Sequence, residues 1–548
     1  MTIAERAYAR WGEECVEHLD GDFAVVVSEP HRGRTFAARD PFGSKPLFYR
    51  VSAGGIAVAS SPEAVAAQDG LPLTVSERRI ADVLVGALEC GDTTSTLFTD
   101  VLRLPPGHSL VFERGRLGVR RWWSADAIGP GAARSDAEHE EEFRALFRDA
   151  VRRRLNGKAA VLLSGGLDSS AIAGLARRPG EIVTTFSATS DAPGCEETGA
   201  IRTMLSLPGL DGTCVTLREV AKPKDVLRRL LFDPQDPFDA TMVIPALLYD
   251  EARRRGLDAV LDGVDGDAVA SIEPYIVTNL LAQRSYAAAW REARGLGRFY
   301  GGGTLRIAAE AAVRVWAPSG LWRWRRPLRI ANALEGSLLS DDLARAAEVG
   351  PRLEHLWAIR SRGGHDPRRR HAIEVGHPQI PAALERYHRV AASAGIEARH
   401  PFLDRRLVEW SLSIPWDLKL RDGWSKWIVR RALRDVVPDA IRWRRGRFVR
   451  LGPQYLSAAV AVFRPELDAE VASGLSDLAP YVDRKRLAEA AVRFRAGDAE
   501  AGERIWQAVA LNSWLRKARA RRYDPPERAN GPAADHAFST SGEAVIPH

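Results

Sequence analysis

Residues 160–170 combine an apolar run, two adjacent glycines, an aspartate and three serines in an order that suits phosphate binding. The apolar residues 160–163 predict a strand, and an amphipathic helical pattern follows the serines. Between the two, Gly165 and Gly166 let the backbone approach an anion closely and point several N–H groups at it. The positive end of the helix dipole and the serine hydroxyls add to this attraction. The segment therefore predicts a strand–loop–helix phosphate site.

This segment resembles the pyrophosphate loop, S-G-G-x-D-S, of enzymes that cleave ATP between the α- and β-phosphates and adenylate a carboxylate. It is not a Walker loop, because the G-x-x-x-x-G-K-[ST] spacing and its lysine are absent. An ordinary glycine-rich turn is the alternative interpretation. Five matching positions in the correct order, with a strand pattern before and a helix pattern after, favour the pyrophosphate loop.

A second polar turn follows the predicted strand at residues 259–261 and contains Asp262, Asp265 and Asp267. Opening the α–β bond of ATP requires Mg²⁺ on the pyrophosphate oxygens, and this hard cation prefers carboxylate ligands. Asp168 and Asp267 each follow a predicted parallel strand, so both are expected in the crevice beyond the carboxyl ends of the sheet. Alone, the turn would be an ordinary acidic loop. Beside the phosphate loop, it predicts a metal site formed by Asp168 and Asp267.

The bulk composition limits the class of protein. A chain of 548 residues is too long for one hydrophobic core, so two to four domains are expected. We find no membrane-length apolar run and no signal-peptide pattern, and therefore expect a cytoplasmic protein without a membrane partner. The net charge of +7 suits an acidic or polyphosphate ligand, and without a nucleic-acid-binding motif we expect no nucleic-acid partner. The four scattered cysteines favour a reduced compartment over a structural zinc site.

Hydrophobic periodicity changes along the chain. Residues 20–125 alternate short apolar runs with Gly, Pro and Asp turns, which predicts an all-β region. Residues 135–156 predict a charged helix, and beyond it strands alternate with helices, which implies a parallel sheet covered by helices. The strands of that sheet are expected at residues 160–164, 182–187, 213–216 and 258–262. From about residue 280 the pattern is helical.

Several further motifs resemble the asparagine synthetase family in order and spacing. The resemblance to its synthetase domain continues at residues 395–404, 423–430 and 438–442, and that to its glutaminase domain lies at residues 20–24, 39–49 and 105–108. It implies an α/β protein with a degenerate, β-rich, glutaminase-like domain of the Ntn-hydrolase class. A parallel-sheet adenylating domain with helical extensions, of the adenine nucleotide α-hydrolase type, would follow. The domains are expected at residues 1–125 and 126–521, before a disordered tail at 522–548.

The resemblance also implies ATP and Mg²⁺ as cofactors and assigns site residues. The nucleotide and its pyrophosphate would contact Leu163, Ser164, Gly165, Gly166, Leu167, Asp168, Ser169, Ser170, Ser187, Gly263, Lys426 and Arg447. The catalytic candidates are Lys426, which matches the family lysine that faces the phosphates, together with Glu397 and Arg399. We expect Glu397 to support Arg399 in a buried pair. Where the family places a second lysine, Arg444, Arg445 or Arg447 would bind phosphate instead.

Departures from the family pattern bear on the source of nitrogen. The family's glutaminases use a cysteine at the mature N-terminus, whereas this sequence begins with Met1 and places Cys15 in a predicted helix. We therefore expect that glutamine is not the nitrogen donor and that the amine belongs to the substrate. Two branches of the family work in this way, the β-lactam synthetases and the lasso-peptide macrolactam synthetases.

Val264 stands where β-lactam synthetases carry a tyrosine and asparagine synthetases a glutamate, and it cannot accept a proton. A peptide α-amine, with a pKa of about 7.7–8.0, needs less help from a base. His400, Glu385 or His388 could assist it. We therefore expect a lasso-peptide macrolactam synthetase, which adenylates an Asp or Glu side chain of a core peptide. The N-terminal amine of that peptide then closes the ring, and AMP and pyrophosphate are released.

Two alternatives stay open at this point. One is a β-lactam synthetase-like or other small-molecule amide synthetase, and the other is a nucleotide-binding protein without turnover, which the intact phosphate loop disfavours. The expected partners of the preferred activity are the precursor peptide, a leader peptidase and a leader-recognition protein. Residues 316–329 and 443–450 interleave aromatic residues with arginines, which suits peptide docking or, equally, a solvated helix face.

Overall fold

The computed structural model describes residues 2–69, 71–191, 195–220, 225–272, 275–317, 319–361, 364–445 and 451–520. A β-rich N-terminal region precedes a region built on a parallel sheet and many helices, as the fold prediction requires. Arg447 and the predicted tail at residues 522–548 lie outside the described residues.

Two antiparallel sheets form the N-terminal region. One has the strand order β1-β2-β6-β7 and the other β4-β3-β5. The strands are β1 (Ala24–Glu29), β2 (Arg34–Arg39), β3 (Phe48–Ser52), β4 (Gly55–Ala59), β5 (Leu102–Arg103), β6 (His108–Glu113) and β7 (Arg116–Arg121).

The expectation that residues 20–125 are all-β is wrong, because helices Pro62–Asp69 and Glu77–Val85 interrupt the strands. The second helix begins where the Ser76 hydroxyl accepts a hydrogen bond from the Arg79 N–H, a helix N-cap. Its apolar residues then follow the helical period and are buried. Helices Ile3–Trp11 and Cys15–His18 precede the first strand.

Five parallel strands form the central sheet of the C-terminal region, in the order β10-β9-β8-β11-β12. They are β8 (Ala159–Leu162), β9 (Val183–Thr189), β10 (Leu210–Thr216), β11 (Ala259–Leu261) and β12 (Glu397–Arg399). The four predicted strands are confirmed, and β12 is an addition. The chain leaves β8 toward β9 and leaves β11 toward β12, so the topology reverses between these two neighbours. Ligands bind at such a reversal, beyond the carboxyl ends of the strands.

Helices pack on the sheet and extend beyond it, and the predicted helix at residues 135–156 is confirmed. Their bounds are Asp136–Arg154, Leu167–Ala176, Glu196–Leu205, Leu217–Val220, Asp225–Phe232, Val243–Arg254, Gly266–Ala270, Ile276–Ala282, Tyr286–Tyr300, Thr304–Trp316, Ser319–Glu335, Asp341–Ala346, Val349–Ser361, Pro367–Val375, Gln379–Ser393, Arg405–Ser413, Trp427–Ala432, Asp439–Arg442, Leu451–Val462, Arg464–Ala472, Arg484–Arg495 and Ala499–Ala520. A short hairpin of β13 (Leu420–Arg421) and β14 (Trp424–Ser425) precedes helix Trp427–Ala432. Among the helices described, none is long and apolar enough to cross a membrane.

One hydrophobic core joins the two regions: buried Phe48 and Ile80 of the N-terminal region belong to the same cluster as Trp506 and Leu511. A buried ion network crosses the same boundary. Glu385 accepts hydrogen bonds from Arg39, at 3.0 Å, and from Arg103, at 2.8 Å.

The stability of this boundary should depend on Glu385. Burial alone would raise its pKa, but the Arg103 and Arg39 guanidiniums lower it to about 2. Glu385→Ala would leave buried Arg39 without its charge partner, at a cost of about 3–5 kcal/mol in the free energy of unfolding. Because the folded-state pKa is depressed, the wild-type contribution is present above the ordinary pKa of 4.5 and is lost as the pH falls toward 2.

Chemical denaturation of wild type and Glu385→Ala at neutral and acidic pH measures both effects. Glu489→Ala, which alters an exposed pair with Lys485, is the control and should change stability by less than about 0.5 kcal/mol. Equal stability losses in the two variants at neutral pH would contradict the assigned role of Glu385.

Candidate active site

The phosphate loop lies where the sequence predicts it, between β8 and helix Leu167–Ala176. Gly165 has φ +74°, and a Cβ there would lie 2.6 Å from the Glu197 carbonyl oxygen. Only glycine fits this turn. Gly166 is the N-cap residue, and no side chain caps the helix there. The first N–H groups of the helix are therefore placed to receive an anion.

The loop serines have different surroundings. Ser169 Oγ accepts a hydrogen bond from the Ser164 N–H at 3.0 Å and lies 2.9 Å from Ser164 Oγ, so this pair braces the loop. The hydroxyls of Ser170 and Ser187 are buried without hydrogen-bond partners among the described residues. Ser187 lies on β9, and its neighbour Phe186 accepts a hydrogen bond from Leu163 N–H. The predicted nucleotide residues of β8 and β9 are thus adjacent.

The acidic turn meets the phosphate loop because β11 pairs directly with β8. A Cβ at Gly266 would lie 2.5 Å from Asp168 Cγ, and one at Gly263 would lie 3.0 Å from Ser169 N. These two glycines therefore let the turns touch. The structure places Gly263 at this contact, and its predicted binding of pyrophosphate stays a prediction.

Lys426 joins the two turns. Its Nζ donates to Asp168 Oδ2 and lies 2.8 Å from Asp267 Oδ1. Burial lowers the pKa of Lys426, but the two carboxylates raise it above its ordinary value, so the side chain is an ammonium. Its backbone has φ +53°, a strained conformation that is common at functional sites. Asp168, Asp267 and Lys426, three residues predicted from separate motifs, thus lie in direct contact.

The two aspartates suit Mg²⁺. Asp168 Oδ1 is buried and has no hydrogen-bond partner in the described part of the chain, and the Asp267 side chain is 90% exposed. Mg²⁺ keeps several waters and binds one or two carboxylates plus phosphate oxygens. No group of three or more His, Cys, Asp or Glu side chains arranged for a metal occurs among the described residues. A two-carboxylate site completed by a nucleotide therefore fits better than an all-protein metal site.

Arg444 contacts the phosphate loop. Its Nη2 donates to the Gly165 carbonyl oxygen at 3.1 Å and its Nη1 to the Glu196 carbonyl oxygen at 3.3 Å. Arg445 instead stacks over the ring of Trp424, at 4.8 Å from its centroid. Of the two candidate arginines within the described residues, Arg444 is the one in contact with the phosphate loop, and its binding of phosphate stays a prediction.

A hydrogen bond with His400 stabilises the acidic turn. Asp262 Oδ1 accepts hydrogen bonds from the Val264 N–H at 3.1 Å and from His400 Nδ1 at 2.7 Å. Burial lowers the pKa of His400, but Asp262 raises it above the ordinary value. Asp265 has φ +61°, and burial raises its pKa to about 7. The pair of His400 with Asp262 fixes the turn, so the structure gives His400 a positioning role.

A cleft of about 330 Å³ opens beside Asp267. Asn279, one of its lining residues, is buried, and its Oδ1 has no hydrogen-bond partner in the described structure. Arg370 lies over the Tyr275 ring at 4.6 Å. The cleft thus places an amide, a guanidinium and an aromatic ring beside the acidic turn, together with the carboxylates of Asp265, Asp267 and Glu374.

No sequence motif marks the residues that form one wall of this cleft. His371 lines it, with Nε2 2.9 Å from the Ala268 carbonyl oxygen and Nδ1 2.9 Å from the Nζ of buried Lys419. Burial lowers the pKa of Lys419 to about 7. The three residues come from separate parts of the chain, so no local spacing could have brought them together.

The other catalytic candidates lie elsewhere. Glu397 pairs with Lys45 of the N-terminal region and, at 2.6 Å, with Arg399, so the expected pair forms but is only partly buried. Arg399 also donates to the carbonyl of Arg154 and to Asn156, before the start of β8. These contacts place both residues at the boundary between the regions, and their catalytic role stays a prediction.

Glu385 and His388, two of the residues suggested to assist the attacking amine, are also unsuited to that role. Glu385 belongs to the buried arginine network described above. Burial lowers the pKa of His388 to about 3. A carboxylate bound by arginines and an imidazole with so low a pKa are poor proton acceptors.

Comparison with known proteins agrees with this geometry. Residues 142–516 match the family described as Asparagine synthase, and residues 3–123 match Glutamine amidotransferase domain. Asparagine synthetase [glutamine-hydrolyzing] 3 of Bacillus subtilis is 25% identical over 468 residues, 80% of this chain and 68% of that protein. Amidase chry2 of Gibberella zeae is 25% identical over 489 residues, 79% of this chain and 70% of that protein.

A third relative, Amidase chyE of Penicillium rubens, is 33% identical over 175 residues, 31% of this chain and 25% of that protein. The match to the first family spans the parallel sheet, the phosphate loop, the acidic turn and Lys426. The chain therefore belongs to the asparagine synthase family and is an ATP-dependent carbon–nitrogen ligase.

Proposed function

We propose that this ligase is a lasso-peptide macrolactam synthetase. It adenylates an Asp or Glu side chain of a core peptide, and the N-terminal amine of the same peptide displaces AMP to form the ring amide. ATP is cleaved to AMP and pyrophosphate. A leader peptidase and a leader-recognition protein would supply the free core peptide.

The contact of Lys426 with Asp168 and Asp267 is the observation that carries the adenylation step. The two carboxylates would hold Mg²⁺, which would draw charge from the pyrophosphate as it leaves. The ammonium of Lys426 and the guanidinium of Arg444 stand at the same loop, where they stabilise negative charge that develops on the phosphates.

The surroundings of two residues in the N-terminal region support a nitrogen donor other than glutamine-derived ammonia. Cys15 is fully buried in its helix, and burial raises the pKa of its thiol to about 11, so a thiolate is disfavoured. Arg39 is also fully buried and donates to the carbonyls of Lys45, Leu104 and Gly43 as well as to Glu385. In the described structure, Cys15 and Arg39 therefore stabilise the N-terminal region.

A small-molecule amide synthetase is the second candidate. The cleft volume of about 330 Å³ suits a single small acid, and two relatives are named amidases. Among such enzymes a β-lactam synthetase is disfavoured, because Val264 packs among apolar residues at the edge of a core cluster and supplies no base. The aromatic and basic surface around Lys426 favours the peptide.

The adenylation step predicts that Asp168→Asn and Asp267→Asn each lower the rate of ATP–pyrophosphate exchange by about 100-fold. Each change removes a charge needed for Mg²⁺ and keeps the side-chain shape. Asp211→Asn, on the exposed part of β10, is the control and should exchange at the wild-type rate. Release of ADP and phosphate by the wild type would rule out adenylation.

The ring-forming step predicts that a leader-free core peptide, incubated with the enzyme, ATP and Mg²⁺, loses one water and its free N-terminus. The rate should rise with pH through the pKa of the peptide amine, about 7.7–8.0, because only the neutral amine attacks. Mass spectrometry and N-terminal sequencing measure both changes. A dehydrated product that keeps a free N-terminus would contradict macrolactam formation.

The nitrogen source gives an independent prediction. Incubation with glutamine should release no glutamate above background, and Cys15→Ala should leave ring formation intact because the thiol is a core group. Glutamate release that Cys15→Ala abolishes would show that glutamine is hydrolysed through this thiol.

A further inference from the structure

A group of aromatic side chains beside Lys426 has no part in the chemistry derived above. Its members contact one another: Trp424 lies 5.1 Å from Trp443 and 5.4 Å from Phe299, and Trp427 lies 5.8 Å from Trp443, measured between ring centroids. Tyr300 contacts Phe299 at 4.9 Å. We call these five residues the aromatic platform.

The platform borders the active site on two sides. Trp424 and Trp427 flank Lys426, whose ammonium bridges the two aspartates. Trp443 directly precedes Arg444, which donates to the Gly165 carbonyl of the phosphate loop. Asp267 lines the cleft, so Lys426 links the cleft to the platform.

The platform is only partly covered. Phe299 is buried, but Trp424, Trp427 and Trp443 are partly exposed, and Tyr300 is 41% exposed. Exposed apolar patches next to a functional site are typical of binding surfaces. An indole ring has a large apolar surface, so a ligand that covers it gains free energy from apolar burial.

Arginines determine the charge of this surface. Arg430 and Arg442 are buried and donate to backbone carbonyls, which fixes the strands and turns beneath the rings. Arg445 is exposed and lies over Trp424 at 4.8 Å. A guanidinium that lies over an indole ring can still pair with a carboxylate.

From these observations we infer that the aromatic platform and Arg445 bind the segment of an acidic, aromatic peptide that lies outside the cleft. A cleft of about 330 Å³ admits the reacting side chain but little more. The rest of a peptide must lie on the neighbouring surface, and the platform includes Trp427, the residue directly after Lys426. The inference rests on the proposed function, because it assumes a peptide acyl donor.

The adenine ring of ATP could also stack on aromatic side chains, but it is a less suitable ligand for the aromatic platform than the peptide. Of the residues predicted to contact the nucleotide, Leu163 directly follows β8 and Ser187 lies within β9. The platform is carried by different elements: helix Tyr286–Tyr300, β14, the start of helix Trp427–Ala432 and the turn after helix Asp439–Arg442.

Three synthetic peptides of equal length test the inference. Each has a free N-terminal glycine and one aspartate, followed by a segment that carries Phe and Glu, Ser and Gln, or Phe and Lys. Binding without ATP is measured by calorimetry. Wild type should bind the Phe/Glu peptide about tenfold more tightly than either of the others, because it offers both a ring and a carboxylate.

Arg445→Glu should reverse the charge preference, so that the Phe/Lys peptide binds more tightly than the Phe/Glu peptide. This change is on an exposed side chain and should not affect folding. Trp443→Leu should weaken both Phe peptides while the KM for ATP in pyrophosphate exchange changes less than about twofold. Trp290→Leu, an exposed tryptophan on the far part of helix Tyr286–Tyr300, is the matched control and should leave all three affinities unchanged.

The results separate this inference from the proposed function. Equal affinity of wild type for the three peptides, an unaltered preference in Arg445→Glu, or a loss of ATP affinity without a loss of peptide affinity would each overturn the platform. The expected preferences, with no dehydrated product from any peptide, would instead overturn macrolactam formation and leave the platform as a peptide site.

Discussion

The ammonium of Lys426, shared by two carboxylates from neighbouring strand ends, is the interaction on which the active site depends. Asp168 and Asp267 would repel each other in this partly buried crevice, and the cation between them removes that repulsion. Reaching this place requires a strained backbone at Lys426 and a tightly docked hairpin. A Cβ at Gly423 would lie 1.9 Å from the Gly295 carbonyl carbon, so the hairpin and the helix beneath it touch backbone to backbone.

Sequence reasoning succeeded where chemistry and spacing are local. The phosphate loop and the acidic turn are short segments that follow apolar strands, and the rule for parallel sheets correctly predicted that their aspartates meet. Prediction from the sequence is less accurate for residues whose contacts lie far away in the chain. Glu397 and Arg399 follow a family motif, but β12 is only three residues long, and it turns Glu397 toward Lys45 of the N-terminal region and Arg399 toward the chain before β8.

Other residues gave no usable signal. Asn279 and His371 line the cleft beside Asp267, and Lys419 contacts His371 from a third distant segment, so each alone is an ordinary helix or loop residue. The helices at residues 62–69 and 77–85 were missed for a different reason. Their neighbours are short alternating runs with Gly and Pro turns, a pattern typical of strands that outweighs the single local signal of the second helix, the Ser76 cap.

The shared hydrophobic core has a consequence for how a substrate enters. Phe48 and Trp506 belong to one cluster, so a hinge between the two regions would expose apolar surface at about 25 cal/mol per Å². Helices Ile276–Ala282, Tyr286–Tyr300 and Thr304–Trp316 instead form a small cluster of their own, and Asn279 of the first faces the cleft. Units with few contacts to the main core open locally at lower free energy. The second of these helices is tied to the hairpin before Lys426 by the Gly295–Gly423 contact, so local opening of this cluster would also displace the active-site ammonium.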